Sequence, residues 1–284
     1  MVRVLITGAT GLLGGYLVEE VEHRGQIPIA YGGPSREKGV DLGDAAAVTA
    51  VFEREKPHVV IHSAALAAIG DCVADPARAQ RTNVDATKNI ANACTKHGVR
   101  LVHVSSDLVF DGEHAPYAED APTSPLSLYG RTKAESEKAA LTEPSAAVVR
   151  VALLFGPTVT ARKGFFDQQT ATLKRGEPLR LFDDEWRTPI SLRAAAEGLV
   201  SIAEGAYRGI LHLGGPERMS RVEMGVRLAR FLEVAEPKIE SVSRLSLPGE
   251  PRARDVSLDS TKFHRLCGSI ATGTFEEECA RMAR

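Results

Sequence analysis

The sequence predicts an α/β fold built on a doubly wound parallel sheet. In the first half of the 284-residue chain, short β-branched runs alternate with longer segments of helical apolar spacing. The runs are almost continuously apolar, as is typical of strands covered on both faces by helices. Glycines then recur at every third residue directly after the first run, where such folds turn from strand to helix.

The individual elements follow from the same alternation. Each expected strand is a short run rich in Val, Ile and Leu, and each expected helix lies between two such runs. We expect strands at residues 2–6, 27–31, 58–62, 100–105 and 147–151, and helices at residues 44–55, 76–97 and 127–142.

The second half of the chain predicts a smaller lobe. After residue 156 the rhythm loosens, and proline, glycine and arginine become more frequent, although a helix is expected at residues 165–174. We therefore divide the chain into a first domain over residues 1–156 and a lobe that lies mainly in residues 157–284. Segments near residues 183–213, notably 191–204 and 209–213, are expected to return to the first sheet.

Composition narrows the classes of partner. The net charge is -2 and the basic residues are scattered, so no electrostatic footprint for nucleic acid or for an anionic membrane is present. No apolar run approaches the ~18 residues of a membrane helix, and no basic leader precedes the first strand. The four cysteines lie far apart and form no C-x-x-C pair, which favours reduced packing thiols over zinc ligation or a disulfide framework. We expect a soluble cytoplasmic protein that acts on small molecules.

The glycine loop predicts a dinucleotide site. Gly8, Gly11 and Gly14, with Thr10 between them, lie between the first strand and the first helix. Glycine allows a tight turn with positive φ and a close approach of backbone N–H groups to a pyrophosphate, which the helix dipole stabilises. The alternative is a glycine-rich turn without a ligand, but the βαβ context favours the dinucleotide.

The choice of nicotinamide cofactor depends on the loop after the second strand. An acid there binds the ribose 2′-hydroxyl of NAD, whereas an arginine accommodates the 2′-phosphate of NADP. No acid closes this strand and Arg36 follows it, so NADP(H) is favoured and NAD(H) stays open; Arg36 as a solvated loop residue is the alternative. Asp41 either accepts the adenine amino group or, like Asp44, caps the next helix.

The third strand ends in small residues. Ala64 and Ala65 would let the ribose and phosphates of the cofactor lie close to the edge of the sheet. His62, which ends the strand, is interpreted as a hydrogen-bonded core residue and not as a catalytic base.

Three further side chains predict reduction of a carbonyl group. Ser106 follows the fourth strand, and Tyr129 and Lys133 lie four residues apart, on one face of a predicted helix. A phenol can protonate the developing alkoxide when a nearby ammonium lowers its pKa, and a serine hydroxyl can donate to the same oxygen. Each residue also has an alternative interpretation without catalysis: Ser106 as a strand-end cap, Tyr129 as a half-buried aromatic residue, and Lys133 as a solvated helix residue.

These motifs carry a family resemblance. The glycine loop, SSDLVFDG at residues 105–112, YGRTKAESE at residues 129–137 and RVALLFG at residues 150–156 resemble the extended short-chain dehydrogenase/reductase superfamily. More narrowly, the chain resembles the dTDP-4-dehydrorhamnose reductase family and its relative, the regulatory β subunit of methionine adenosyltransferase. The resemblance implies a Rossmann domain, a nucleotide-sugar lobe and reduction of a nucleotide-linked 4-keto-6-deoxy sugar. It also suggests a homodimer.

The resemblance assigns residues by position. It implies that Tyr129 is the acid, with Ser106 and Lys133 as its helpers. Its cofactor contacts fall on Gly11, Leu12, Leu13, Asp41, Leu42, Ala64, Ala65, Leu66, Tyr129 and Lys133. Its substrate contacts fall on Ser106, Asp107 and Leu153, with Arg187 and Arg252 as candidates for the phosphates.

Two departures from the family pattern bear on the substrate. Leu108 replaces the aromatic residue that usually follows the family's Thr-Asp pair, which is Ser106 and Asp107 here. Leu153 replaces a tryptophan that contacts the sugar. Arg187 is either a phosphate ligand or an unbound surface arginine.

Three functions are therefore open. The first, an NAD(P)H-dependent reductase of a nucleotide-linked keto sugar, is favoured by the complete Ser106, Tyr129 and Lys133 set. A sugar-nucleotide epimerase or dehydratase on the same fold is the second, although a dehydratase would want Asp-Glu where Asp107 is followed by Leu108. The third is a cofactor-binding regulatory subunit.

Overall fold

The computed structural model describes residues 1–34, 39–246, 248–268, 270 and 272–283. Its strands are β1 (Arg3–Thr7), β2 (Ile27–Tyr31), β3 (Val59–His62), β4 (Arg100–Ser106), β5 (Ala147–Val151), β6 (Leu154–Phe155), β7 (Leu179–Phe182), β8 (Trp186–Arg187), β9 (Ile190–Ser191), β10 (Gly209–Leu213), β11 (Met219–Ser220) and β12 (Ile239–Val242). Its helices are α1 (Leu12–His23), α2 (Ala45–Glu55), α3 (Ile69–Ala74), α4 (Pro76–Gln80), α5 (Ala86–His97), α6 (Leu128–Ala140), α7 (Phe165–Lys174), α8 (Leu192–Glu204), α9 (Arg221–Phe231), α10 (Thr261–Leu266) and α11 (Phe275–Met282).

A six-stranded parallel sheet forms the centre of the molecule. Its strand order is β10-β5-β4-β3-β1-β2, and every neighbouring pair in it is parallel. The chain runs outward from β1 to β2 and then returns to place β3 on the other side of β1. This confirms the predicted doubly wound α/β fold and puts a ligand crevice at the carboxyl ends of β1 and β3.

The strand bounds lie close to those predicted. Ile27–Tyr31 and Ala147–Val151 have their expected limits, whereas β1 begins at Arg3 and β3 at Val59. β4 continues to Ser106, so this serine is the last residue of its strand. The helix predicted at residues 76–97 comprises α4, a π-helical turn and α5.

Helices cover both faces of the sheet. On one face α1 packs against α8, with Leu17, Val21 and Leu199 in a shared apolar core. On the other face α2, α5 and α6 cover the sheet, with Phe52 and Ile90 among the buried side chains. Because both faces are covered, the strands are apolar throughout, which is why the sequence shows runs and not alternation.

The chain returns to this sheet after leaving it. β10 pairs in parallel with β5 at the edge of the sheet, and α8 packs on α1. The division of domains at residue 156 stays a prediction.

A separate apolar cluster lies in the second half of the chain. β7 pairs with β12 and β8 with β11, beside α7, α9 and α11. The cluster includes Phe155, Leu173, Leu228 and Phe275, all buried.

The helices of the molecule are short. α6 and α8 have 13 residues each. Among the residues that the structure describes, no helix has both the length and the apolar character needed to cross a membrane.

Candidate active site

The glycine loop lies at the crevice between β1 and β3. Gly8 has a φ of +73°, and a Cβ atom on it would lie 2.8 Å from the Cα atom of Ala64. A Cβ atom on Gly14 would lie 2.6 Å from the Cα atom of Ala9. The N–H of Gly11 donates to the carbonyl oxygen of Gly8 at 2.9 Å. Glycine is thus required here for close backbone approach.

The first helix begins directly after this turn. Leu12 and Leu13 open α1, and Leu13 is buried whereas Thr10 is exposed. No side chain caps the helix within the described ranges. Its first N–H groups are therefore suited to bind an anion.

The predicted cofactor residues after β2 have different surroundings. Arg36 lies outside the described residues. Asp44 caps α2 by accepting from the N–H groups of Ala46 and Ala47, so Asp41 is not the cap. Arg81 donates to Asp41 at 2.6 Å and lowers the pKa of its carboxyl group, which stays partly exposed.

A hydrogen-bond chain links the end of β3 to α6. The N–H of Ala64 donates to Thr7 Oγ1 at 3.3 Å, and the N–H of Leu66 donates to Asn83 Oδ1 at 2.7 Å. Asn83 Nδ2 in turn donates to Thr132 Oγ1 on α6 at 2.9 Å. The predicted cofactor segment is therefore tied to the helix that carries Tyr129 and Lys133.

Two other predicted cofactor residues lie in these segments. Ala65 is half-buried between Ala64 and Leu66, and the carbonyl oxygen of Leu42 accepts from Asn89.

His62 lies in the core, as interpreted from the sequence. It is fully buried, and its ring nitrogens contact Thr7 Oγ1 at 2.7 Å and Thr87 Oγ1 at 3.0 Å. Burial lowers the pKa of His62 to about 3, so the ring is neutral at physiological pH.

The two serines at the end of β4 have different partners. Ser105 donates to Glu137 Oε1 at 2.6 Å, which commits its hydroxyl to the interior. Ser106 donates to Asp107 Oδ1 at 3.1 Å and accepts from the N–H of Leu108. Ser106 is therefore the serine that belongs to the candidate site.

Tyr129 lies in the first turn of α6. Ser127 caps the helix by accepting from the N–H of Gly130 at 3.1 Å. A Cβ atom on Gly130 would collide with the carbonyl oxygen of Leu108, so this glycine lets α6 approach the loop after β4. Burial raises the pKa of Tyr129 well above its ordinary value, and the Ser106 hydroxyl opposes that rise.

Lys133 is buried one helical turn after Tyr129. Its Nζ atom donates to the carbonyl oxygen of Val104 at 2.7 Å and lies 3.4 Å from His103 Nε2. Burial lowers the pKa of Lys133 to about 8, while the charge of Glu137 acts in the opposite direction. Lys133 is thus a buried cation and not the solvated lysine of the alternative interpretation.

A buried ion pair anchors α6 to the sheet. Arg150 on β5 donates to both carboxylate oxygens of Glu137, at 2.9 Å each, and both side chains are buried. Sequence reasoning did not single out this pair. An arginine inside an otherwise apolar strand is the signal that would have indicated a buried acid nearby.

A second charged cluster adjoins Ser106. Arg187 Nε lies 3.6 Å from Asp107 Oδ2, and Arg187 Nη2 donates to Glu185 Oε1 at 3.1 Å. Arg252 Nε donates to Glu185 Oε2 at 2.8 Å. Burial raises the pKa of Asp107 to about 6. Arg187 is 5% exposed, so the alternative of an unbound surface arginine is wrong.

The two leucines that replace family aromatics are both partly buried. Leu108 packs against the cluster around Phe110 and Tyr117, and Leu153 packs against the cluster around Phe155. Within the described ranges, no group of three or more His, Cys, Asp or Glu side chains is placed to hold a metal ion.

Comparisons with known proteins place the chain in a family. A model described as the RmlD substrate binding domain matches residues 2–284. Methionine adenosyltransferase 2 subunit beta of Xenopus tropicalis is 32% identical over 284 residues, which cover 93% of this chain and 82% of that protein. A dTDP-4-keto-6-deoxy-D-glucose reductase of Streptomyces niveus is 32% identical over 215 residues, or 74% of this chain and 72% of that protein.

A solved structure is similar to the chain over almost its whole length. A dTDP-4-dehydrorhamnose reductase from Clostridium acetobutylicum superposes with a TM-score of 0.89 at 26% identity, covering 99% of this chain and 98% of that chain. These findings confirm the resemblance read from the motifs. The chain therefore belongs to the RmlD substrate-binding domain family, within the extended short-chain dehydrogenase/reductase type of oxidoreductase.

Proposed function

We propose that the protein is an NAD(P)H-dependent reductase of a nucleotide-linked 4-keto-6-deoxy sugar. The observation that carries this proposal is that Ser106, Tyr129 and Lys133 lie together at the carboxyl end of β4, on the same edge of the sheet as the glycine loop. Reductases named for such substrates are among the relatives of the chain.

The glycine loop fits a dinucleotide. The positions of Gly8 and Gly14 have no room for a Cβ atom, and the start of α1 has no side-chain cap. Solved structures of the same fold hold NADP or NAD. NADP(H) is favoured because Arg36 follows β2 and no acid closes that strand, while NAD(H) stays open. The bound dihydronicotinamide supplies the hydride that reduces the carbonyl carbon.

Tyr129 supplies the proton to the carbonyl oxygen in this proposal. The phenol is protonated at neutral pH, as a proton donor must be. Burial raises its pKa and so weakens it as an acid, which is opposite to the effect expected of a nearby ammonium group. The Ser106 hydroxyl lies beside it and can donate to the same oxygen as negative charge develops.

Lys133 supports the transfer electrostatically. With a pKa of about 8, its ammonium form predominates at neutral pH and stabilises the phenolate that Tyr129 leaves behind. Lys133 is also one of the expected cofactor contacts, and in this proposal it hydrogen-bonds the nicotinamide ribose.

The substrate side is assigned to the charged cluster beside Ser106. Asp107 and Leu153 are proposed to contact the sugar, and Arg252 to face the phosphates, a role for which the sequence also suggested Arg187. Arg187 has most of its donors committed to Glu185, Trp186 and Asp107, so its part is to hold the cluster together. A homodimer and a cytoplasmic location stay predictions.

A second candidate is a regulatory subunit. The similarity to methionine adenosyltransferase 2 subunit beta over 93% of this chain favours it, as do Leu108 and Leu153 in place of sugar-facing aromatics. Such a protein would bind NADP(H) without reducing a sugar.

The deciding assay follows the absorbance of NADPH with a panel of nucleotide-linked 4-keto-6-deoxy sugars. We expect the wild type to consume NADPH with at least one of them and Tyr129→Phe to be slower by about 10²- to 10⁴-fold, the usual worth of a general acid. If both proteins are equally inert while NADPH still raises the melting temperature, the regulatory function replaces the reductase.

A further inference from the structure

Arg221, the first residue of α9, is a cation that neither the motifs nor the comparisons assign. Its guanidinium carbon lies 4.2 Å from the centre of the Phe165 ring, and its Nη1 atom donates to Met224 Sδ at 3.7 Å. In the part of the chain that the structure describes, no carboxylate forms an ion pair with this side chain. Its charge is thus held by an aromatic face and a sulfur atom alone.

The carboxylates near Arg221 are already paired. Glu185 accepts from both Arg187 and Arg252, through different oxygens. Asp107 accepts from Ser106 and lies 3.6 Å from Arg187. Three guanidinium groups therefore share two carboxylates, which leaves one positive charge uncompensated.

This surplus charge is retained at neutral pH. Burial lowers the pKa of Arg221 to about 10, and Glu185 and Asp107 oppose that decrease while Arg187 and Arg252 add to it. A guanidinium that is half-buried among cations, and protonated, is unfavourable without an anion. The natural complement is an anionic group of a ligand.

We propose that Arg221 binds the diphosphate of a nucleoside diphosphate, the carrier of the sugar. This inference rests on the proposed function, because it places the sugar at Ser106. From Ser106 the contacts continue through Asp107, Arg187 and Glu185, whose carbonyl oxygen accepts from the N–H of Arg221 at 3.2 Å. The planar fork of arginine suits bidentate contact with phosphate oxygens.

The assignment differs from that made on the sequence. Arg187 was expected to meet the phosphates, but its Nη1, Nη2 and Nε atoms face Trp186, Glu185 and Asp107. Arg221 has only the weak sulfur contact, so its donors can turn to a ligand.

The test measures binding of dTDP, UDP and thymidine by isothermal titration calorimetry. Arg221→Met keeps the apolar stem against Phe165 and removes the charge. Arg230→Met, on an exposed position of the same helix, is the matched control. We expect Arg221→Met to weaken binding of the preferred diphosphate by about 10- to 100-fold, the worth of hydrogen bonds to a charged group.

Further readouts separate a phosphate contact from a packing effect. Arg221→Lys should bind with intermediate affinity, and the weakening of wild-type binding by added salt should be smaller in Arg221→Met. Thymidine binding should be the same in all variants, and Arg230→Met should match the wild type.

The outcomes distinguish this inference from the reductase proposal. The diphosphate site would be overturned if Arg221→Met bound dTDP and UDP with the same affinities as the wild type. It would also be overturned if the wild type bound neither nucleotide. Diphosphate binding that depends on Arg221, in a protein that reduces no keto sugar, would support the site and reject only the reductase.

Discussion

Lys133 links the chemistry of the site to the stability of the fold. Its pKa is about 8, against an ordinary value of 10.5, because the side chain is buried. Between these two pH values the unfolded chain binds a proton that the folded chain has released. The free energy of unfolding therefore rises with pH across this window through Lys133.

The magnitude follows from the same two values. Each pKa unit is worth about 1.4 kcal/mol, so the interval from 8 to 10.5 corresponds to about 3 kcal/mol. Below pH 8 the charged form is disfavoured by burial in the folded state, and this cost is relieved as the pH rises. Replacing Lys133 by methionine removes the titration, so the difference from the wild type isolates its contribution.

Urea denaturation at several pH values measures this difference. We expect the wild type to gain about 3 kcal/mol relative to Lys133→Met between pH 7 and pH 11, with most of the gain between about 8 and 10.5. Lys138→Met, on an exposed position of the same helix, is the control, and its difference from the wild type should stay constant.

Two results would refute this reasoning about Lys133. The first is a pH-independent difference between the wild type and Lys133→Met. The second is a rise of equal size in the free energy of unfolding of the wild type relative to Lys138→Met over the same pH range. Either would mean that the burial of the ammonium group does not govern its ionisation.

Two further predictions concern the scaffold. Gly14→Ala places a Cβ atom 2.6 Å from the backbone of Ala9, so it should abolish the NADPH-dependent rise in melting temperature, whereas Gly70→Ala, with open space around it, should leave that rise unchanged. Arg150→Met leaves the buried carboxylate of Glu137 unpaired and should lower the free energy of unfolding by about 3 to 5 kcal/mol in urea denaturation. Adding Glu137→Leu should restore part of the loss; an unstable double variant would show that the pair is needed for more than charge balance.

The features that could be predicted from the sequence are those that depend on the spacing of neighbouring residues. The glycine loop needs only three glycines after a strand, and Tyr129 and Lys133 share a helix face because they lie four residues apart. The strands of the central sheet have enough apolar residues to be recognised one by one. β8, β9 and β11 have two residues each, which is too short for any periodic pattern, so they were not predicted.

Electrostatic contacts between residues far apart in the chain could not be predicted from the spacing of residues in the sequence. Arg187 meets Asp107 across 80 positions of the chain, and its burial could not be read from its neighbours. The role of Arg221 depends on which carboxylates other arginines have already taken, since the surplus of charge exists only after the cluster is assembled. Substrate recognition in this protein therefore has to be argued from the fold.

Transfer of deuterium from the cofactor tests the central claim most directly. The protein is incubated with NADPH that carries deuterium at both positions of the nicotinamide C4 atom, together with the keto sugar that is consumed in the absorbance assay. The account predicts that mass spectrometry finds one deuterium on the carbon of the reduced carbonyl group, and that Tyr129→Phe forms this product far more slowly. A wild type that binds NADPH but transfers no deuterium to any sugar of the panel would contradict it.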